Sequence, residues 1–308
     1  MRMQTAGATA CLLLACGAYA AERSQVITQT YPGAAGKVVL VDAGRFDVAV
    51  RAAEIQDIRL YVEVVAGGFS GNQADLWVKA HTPTITDKPE ELRIEAPDPS
   101  GSSLFKGILS TRARIELVLP TGTVPDLSTG SGDIIVEGEF PQARPLRLRT
   151  ASGTLALIGW APEVEARSTS GAIRLQATRA LERLLVRTAS GSANLTGGAR
   201  HITCDTSSGD VQLGGLLGPI AVSTTSGHVT AGFDALAATD EVRVTTVNGA
   251  ITVTLPPGTD PSGDVAAPKG EISSKSTGQI DAVERTLKLT GPGPKLLLNS
   301  TSGRITIQ

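Results

Sequence analysis

The chain is poor in the residues that build most active sites. Aromatic residues are 3% of its 308 positions, and it holds three histidines, three cysteines and two tryptophans. His81, His201 and His228 belong to no recognisable metal-binding pattern, so no metal or other cofactor is expected. Trp77 and Trp160 are too few for an aromatic platform under sugar rings. Neither sign of charge dominates: 28 Lys+Arg against 30 Asp+Glu leave −2, with no global field to hold a polyanion, which argues against a nucleic-acid partner. No apolar run approaches the ~20 residues that span a bilayer, so no transmembrane segment is expected.

Two of the cysteines fall in residues 1–20, which read as a signal peptide. Arg2 lies near the start, an apolar stretch covers residues 6–15, and Ala18-Tyr19-Ala20 is an A-x-A cleavage signal, so the mature chain begins at Ala21. Leu13-Leu14-Ala15-Cys16 resembles a bacterial lipobox, and the alternative is acylation at Cys16 with an N-terminal lipid anchor. Either route predicts an exported protein of the periplasm, outer membrane or cell surface. Cleavage after Ala20 leaves Cys204 alone, which excludes an intramolecular disulfide. Cys204 occupies a repeat position otherwise held by aliphatic residues, so it reads as a buried small hydrophobe.

Glycine, by contrast, is abundant at 34 residues, and many glycines punctuate a repeat. Leu127-Ser-Thr-Gly-Ser-Gly-Asp-Ile-Ile-Val, Leu148-Arg-Thr-Ala-Ser-Gly-Thr-Leu-Ala-Leu and Ala166-Arg-Ser-Thr-Ser-Gly-Ala-Ile-Arg-Leu are successive copies. The corner pairs are Ser131 and Gly132, Ser152 and Gly153, Ser170 and Gly171, Ser190 and Gly191, Ser208 and Gly209, Ser226 and Gly227, Asn248 and Gly249, and Ser302 and Gly303. Up to Gly249 the spacing is 18–22 residues, and a degenerate copy follows at Gly270. Apolar residues alternate with period two on both sides of each glycine, as half-buried strands require, and the parity switches at the corner. A switch at glycine reads as a sharp bend that glycine tolerates.

One such copy cannot bury its own apolar face, whereas stacked copies share a core. The predicted fold is therefore all-β: a single-stranded parallel β-helix, or β-solenoid, of 18–22 residues per coil. Right-handed coiling is the default for parallel crossovers. Residues 21–125 read as an irregular N-terminal part with a large excursion between Gly67 and Ser110, and residues 126–308 as the regular part. A separate small β-domain is the alternative for the first. Stacking predicts an inward polar column of the corner serines and Asn248. A second column two residues earlier comprises Thr129, Thr150, Ser168, Thr188, Thr206, Thr224, Thr246 and Ser300. Residues 304–308 end inside a strand, which predicts an uncapped edge open to another molecule.

Ile115-Glu-Leu-Val-Leu-Pro-Thr-Gly, the copy at Leu127 and the later T-x-S-G-x-I-x-V copies resemble the DUF4097 group of bacterial proteins, which carries an adhesin label. The likeness covers residues 36–308. It implies an exported β-solenoid and brings no catalytic residues.

The residues themselves point away from catalysis. No G-x-S-x-G elbow with a following helix surrounds any corner serine. Asp133 and Asp210 follow their corners, but Thr154, Ala172 and Ser192 hold that position between them, so the two carboxylates are not expected to act as a pair. The expected function is non-enzymatic: an adhesin or cell-envelope structural or binding protein, with an envelope glycan or envelope protein as partner. The alternatives are a periplasmic accessory or envelope-stress factor that binds another protein and, behind it, a polysaccharide-active enzyme. The candidate ligand site is an outward ladder of Arg149, Arg167 and Arg187, with Arg147 beside it, suited to an anionic glycan or a lipopolysaccharide phosphate. The opposing reading is that Glu163, Glu165 and Glu182 neutralise it as an ordinary solvated face.

Overall fold

The computed structural model describes residues 21–97, 108–281 and 283–308. Residues 1–20, on which the signal-peptide and Cys16 acylation readings fall, lie outside them. Strands dominate, and the one helix among the described residues is Gly71–His81. The chain forms two compact units, the first ending at Gln142 and the second beginning at Ala143.

In the second unit each repeat contributes one strand to each of two parallel sheets. The first sheet stacks Leu146–Thr150, Glu163–Ser168, Leu181–Thr188, Ala199–Thr206, Ile220–Ser223, Glu241–Thr246 and Lys295–Ser300 as neighbours. The second stacks Leu155–Trp160, Ile173–Ala177, Ala193–Thr196, Val211–Leu216, Val229–Phe233, Ile251–Thr254 and Ile305–Ile307. The unit is a β-solenoid with an aliphatic core. Leu148, Ala166, Val186, Cys204, Val222, Val244 and Leu298 are buried in one column, and Leu155, Ile173, Ala193, Val211, Val229, Ile251 and Ile305 in another. Burying one Leu, Ile or Val side chain contributes about 1.5–3 kcal/mol, and each coil obtains it only from its neighbours.

The corner differs from the sequence expectation in an instructive way. Thr150 is buried, Ala151 and Ser152 are exposed, and Gly153 and Leu155 are buried again. The chain thus turns its outward side to solvent for two residues, and the glycine points inward. The column of Ser131, Ser152, Ser170, Ser190, Ser208, Ser226, Asn248 and Ser302 is exposed, not inward. What holds these residues is the main chain: Ser170 N donates to Ala151 O at 2.8 Å and Ser190 N to Thr169 O at 2.9 Å. A side-chain hydroxyl is not required there, which is why Asn248 fits.

Nor do the corner glycines serve a left-handed backbone, since none of them has positive φ. They are demanded by close approach. A Cβ on Gly171 would sit 1.7 Å from the carbonyl oxygen of Gly153, and one on Gly191 would sit 1.9 Å from that of Gly171. The buried hydroxyl column does the polar work. Gly153 N donates to Thr150 Oγ1 at 2.9 Å, Gly171 N to Ser168 Oγ at 2.7 Å, Gly191 N to Thr188 Oγ1 at 2.9 Å and Gly303 N to Ser300 Oγ at 2.8 Å. A buried N–H without such a partner would be costly.

The C-terminal end corrects the expectation of an open edge. Lys295–Ser300 lies between Glu241–Thr246 and Ser262–Ala266, and Ile305–Ile307 lies between Ile251–Thr254 and Ile272–Ser274. The last coil in sequence is therefore an interior coil. Residues from the preceding excursion stack outside it, extended by the antiparallel strands Thr286–Thr290 and Gly278–Asp281.

The first unit uses the same device. Val38–Asp42 pairs in parallel with Val124–Thr129 on one side and Glu91–Glu95 on the other. Asp47–Ala53 pairs likewise with Ile134–Glu139 and Ile108–Pro120. The copy at Leu127 thus stacks on the earlier coil of residues 38–53, and a Cβ on Gly132 would meet Phe46 O at 1.9 Å. Beyond Ile108–Pro120 the pairing turns antiparallel through Asp57–Gly68 to Ala21–Pro32, and the helix packs on these last two strands. The excursion from Gly67 to Ser110 therefore contains a helix that the strand-oriented reading of the sequence did not anticipate.

Candidate functional site: a basic ladder and an adjoining groove

Period-two alternation sends Arg147, Arg149, Arg167 and Arg187 outward from the first sheet of the second unit. Parallel in-register pairing then aligns them: Arg149 is opposite Arg167, Arg167 opposite Arg187, and Arg187 opposite Asp205. Adjacent rungs lie ~4.8 Å apart, so three guanidinium-bearing residues form one row. Arg147 occupies the neighbouring row, opposite Glu165.

The row is partly counterbalanced. Glu165, with 15% of its side chain exposed, bonds Arg147 Nε through Oε2 at 3.2 Å and pairs with Arg167 through Oε1. Burial alone would raise the pKa of this carboxyl, but Arg147 and Arg167 outweigh it and hold the group below the usual carboxylate range. Arg187 meets Asp205 at 3.6 Å. Glu182 turns to Arg200 at 3.4 Å, away from the ladder, and Glu163 lies opposite Arg183 in register. Of the three expected counter-charges, Glu165 is the one that the structure joins to ladder arginines, and Asp205 is an addition.

The same sheet carries a shallow groove of about 400 Å³ on the next rungs, lined by Arg183, His201, Thr203, Ala221, Glu241 and Arg243 among others. Its floor follows from residue size: Ala221 stands in register between Thr203 and Arg243, so one rung lacks a long side chain. Glu241 accepts from Arg243 Nη2 at 2.7 Å, and this bond keeps its carboxyl low. Ladder and groove share one face, which presents guanidinium, imidazole and hydroxyl donors along successive strands. Such a surface favours an extended anionic, hydroxyl-rich ligand.

The other residues singled out in the sequence sit in structural roles. Cys204 is buried, and burial, then Asp205, pushes its thiol up to about 12. His81 is buried in the first unit, with Nδ1 2.8 Å from Trp77 O and its ring stacked on Trp77 at 3.9 Å. His228 Nδ1 accepts from Ala250 N at 3.0 Å. Asp210 accepts from His228 N at 2.9 Å, while Asp133 belongs to the first unit. Trp160 donates to Ala180 O at 3.1 Å and lies under Arg179 at 3.5 Å. Among the described residues no three His, Cys, Asp or Glu side chains gather as a metal site, and no helix is long and apolar enough to cross a membrane.

Two features gave no sequence signal. Lys37 is buried at 3% exposure, with Nζ 2.6 Å from Asp87 Oδ1 and 3.0 Å from Pro32 O. A cavity of about 340 Å³ in the first unit is lined by Arg45, Trp77, His81 and Arg112 among others. Both arise from segments that are distant in sequence.

No curated protein matches the chain. Among solved structures it is similar to a "putative adhesin" from Parabacteroides distasonis, with 14% identity and a TM-score of 0.51 over 92% of this chain and 97% of that one. A "putative adhesin" from Parabacteroides merdae (13%, TM-score 0.49) and a "putative lipid binding protein" from Parabacteroides distasonis (13%, TM-score 0.45) each align over 92% of this chain and 96% of their own. The first of these likenesses bears on the fold. The Toastrack DUF4097 family model matches residues 73–308, from the helix through every Ser-Gly copy, and the chain belongs to that family.

Proposed function

We propose that the protein is an exported, non-enzymatic binding protein of the cell envelope, an adhesin-like solenoid whose first sheet in the second unit holds an acidic glycan. The observation that carries this reading is the register of Arg149, Arg167 and Arg187, continued on the same face by the groove at Arg183, His201 and Arg243. A glycan bearing carboxylate or phosphate groups along its length would meet a guanidinium on successive rungs and hydroxyl or imidazole donors in the groove. The non-enzymatic reading is supported by what two nearby carboxylates do: Glu165 and Glu241 are each engaged with arginine, an arrangement that lowers their basicity and opposes general acid–base work.

The test is binding of the chain from Ala21 onward to whole cells, lipopolysaccharide and acidic glycans, beside an Arg149→Ser, Arg167→Ser, Arg187→Ser variant. Saturable, salt-sensitive binding that is lost in the variant is the expected outcome. Absence of binding by the unaltered chain overturns the glycan reading and favours a protein partner.

A further inference from the structure

The open edge that the C-terminal strand does not provide lies in the first unit. Ala21–Pro32 is the outermost strand of its sheet, joined along its whole length to Asp57–Gly68 without a register shift. On the other side every second residue turns both its N–H and its C=O outward, with no strand among the described residues to receive them. The helix meets this strand on a face rather than at its rim. Its contacts are Asp75 with Arg23 at 4.0 Å and, just past its end, Thr82 Oγ1, which donates to Gln25 Oε1 at 2.7 Å. Arg23 pairs with Ala66 and Gln25 with Val64, both buried, so these contacts lie on the inner face of the sheet. Folded proteins ordinarily keep an edge strand short, charged or bulged. The other outermost strands are short: Thr84–Asp87 and Gly278–Asp281 have four residues each and Ile272–Ser274 has three. Ala21–Pro32 has 12, and from Ser24 to Tyr31 it carries no charge, no proline and no bulge. Val26, Ile27, Thr28, Thr30 and Tyr31 within it are strong strand formers.

We propose that Ala21–Pro32 pairs with the same strand of a second copy, antiparallel about a two-fold axis, so that one sheet runs through a closed dimer. What covers unpaired N–H and C=O groups in a row is another strand, and a second copy presents an identical edge of the same length. Antiparallel pairing is self-complementary, and with the other edges short the contact closes at two chains. The register follows from the faces of the sheet. A two-fold axis perpendicular to the sheet keeps inner face beside inner face, so each residue meets one of its own parity and one residue meets its own copy. Ile27 suits that position, because nearly the whole strand is then matched and an apolar inner-face side chain meets itself. Gln25 then stands opposite Gln29 of the second copy, Val26 opposite Thr28, and Arg23 opposite the Tyr31 ring. No two like charges face one another in this register.

The experiment is sedimentation of the chain from Ala21 onward across a dilution series, beside a Val26→Lys, Thr28→Lys variant. Both substitutions lie on the outward face of the strand, and each new lysine meets one of the second copy. The expected result is a dimer that dissociates on dilution, with a dissociation constant at least about tenfold higher in the variant. Disulfide trapping reads the register independently of that variant. Ile27→Cys is expected to oxidise to a linked dimer, because opposed Cα atoms of an antiparallel pair lie ~5 Å apart, whereas Thr30→Cys, ~20 Å from its own copy, stays unlinked. Cys204 is buried and does not compete. A monomer at every concentration overturns the proposal, as does an assembly that grows beyond two chains. So does a dimer that the lysines leave intact, or one that Ile27→Cys fails to link or that Thr30→Cys links as readily. Glycan binding tests the earlier proposal separately, because it depends on Arg149, Arg167 and Arg187 in the other unit.

Discussion

Gly303 stacks directly on Gly249, so closely that a Cβ on Gly303 would sit 1.8 Å from the Gly249 carbonyl oxygen, although Gly270 separates them in sequence. Gly270 in turn stacks on Gly303, where an added Cβ would lie 2.0 Å from its carbonyl oxygen. The order of coils in space is thus not the order in the chain, and the C-terminal coil is closed between two neighbours.

Burial of that coil predicts slow hydrogen exchange at a terminus that would ordinarily fray. Ile305 N donates to Glu271 O at 2.8 Å and Gln308 N to Val253 O at 2.9 Å. In native-state exchange the Ile305 amide, three residues before Gln308, is expected to be protected to about the same degree as that of Ile251. Rapid exchange at Ile305 would show that the cap of residues 262–290 does not hold.

The close approach of the glycines makes a sharp contrast with the exposed serines beside them. Gly171→Ala places a methyl group against the main chain of the coil below and is expected to cost about 3 kcal/mol or more. Ser170→Ala, at an exposed corner held by backbone bonds, is expected to stay within about 0.5 kcal/mol. Urea unfolding of the two variants distinguishes them, and a large loss in Ser170→Ala would return the structural role to the serine.

The hydroxyl ladder is not uniform. Thr188 Oγ1 accepts from Gly191 N at 2.9 Å, whereas the buried Thr206 Oγ1 and Thr224 Oγ1 have no hydrogen-bond partner. Thr188→Val leaves the Gly191 N–H unsatisfied and is expected to lower stability by about 1–3 kcal/mol. Thr206→Val removes a hydroxyl that makes no bond and is expected to be neutral or slightly stabilising. Equal losses in the two thermal or urea midpoints would refute the distinction.

Glu165 links stability, pH and binding. Its carboxyl is depressed below the ordinary value of 4.5 in the folded state, so its stabilisation is complete above that value and is lost as pH falls through the folded pKa. Glu165→Gln is expected to cost up to about 1 kcal/mol at pH 7, the partners being exposed arginines, and less at pH 3. The same substitution removes a negative charge from beside the row at Arg167, so affinity for an acidic glycan is expected to rise severalfold at low salt. Unfolding titrations at the two pH values, with glycan binding at pH 7, check both signs.

Local pattern made much of the architecture legible. Strand, corner and strand follow from period-two alternation around Ser-Gly, because half-buried strands need only near neighbours in sequence to declare which side is apolar. The outward direction of Arg149, Arg167 and Arg187 was readable for the same reason, and their alignment followed once copies were assumed to stack. The sequence did not say why the corner residue is glycine, because the atom that excludes a side chain belongs to another coil.

The amino-acid sequence by itself determined the β-solenoid repeat, its aliphatic core and the outward row of arginines, since each is a property of one copy repeated. Tertiary structure alone decided that the corner serines face solvent, and that Asp205 meets Arg187. It also decided that the coil at Gly303 lies inside the one at Gly270, and that Lys37 finds Asp87. Each of these depends on which segment lands beside which, and chain excursions of different length can bring the same local strand to different neighbours at similar local energy.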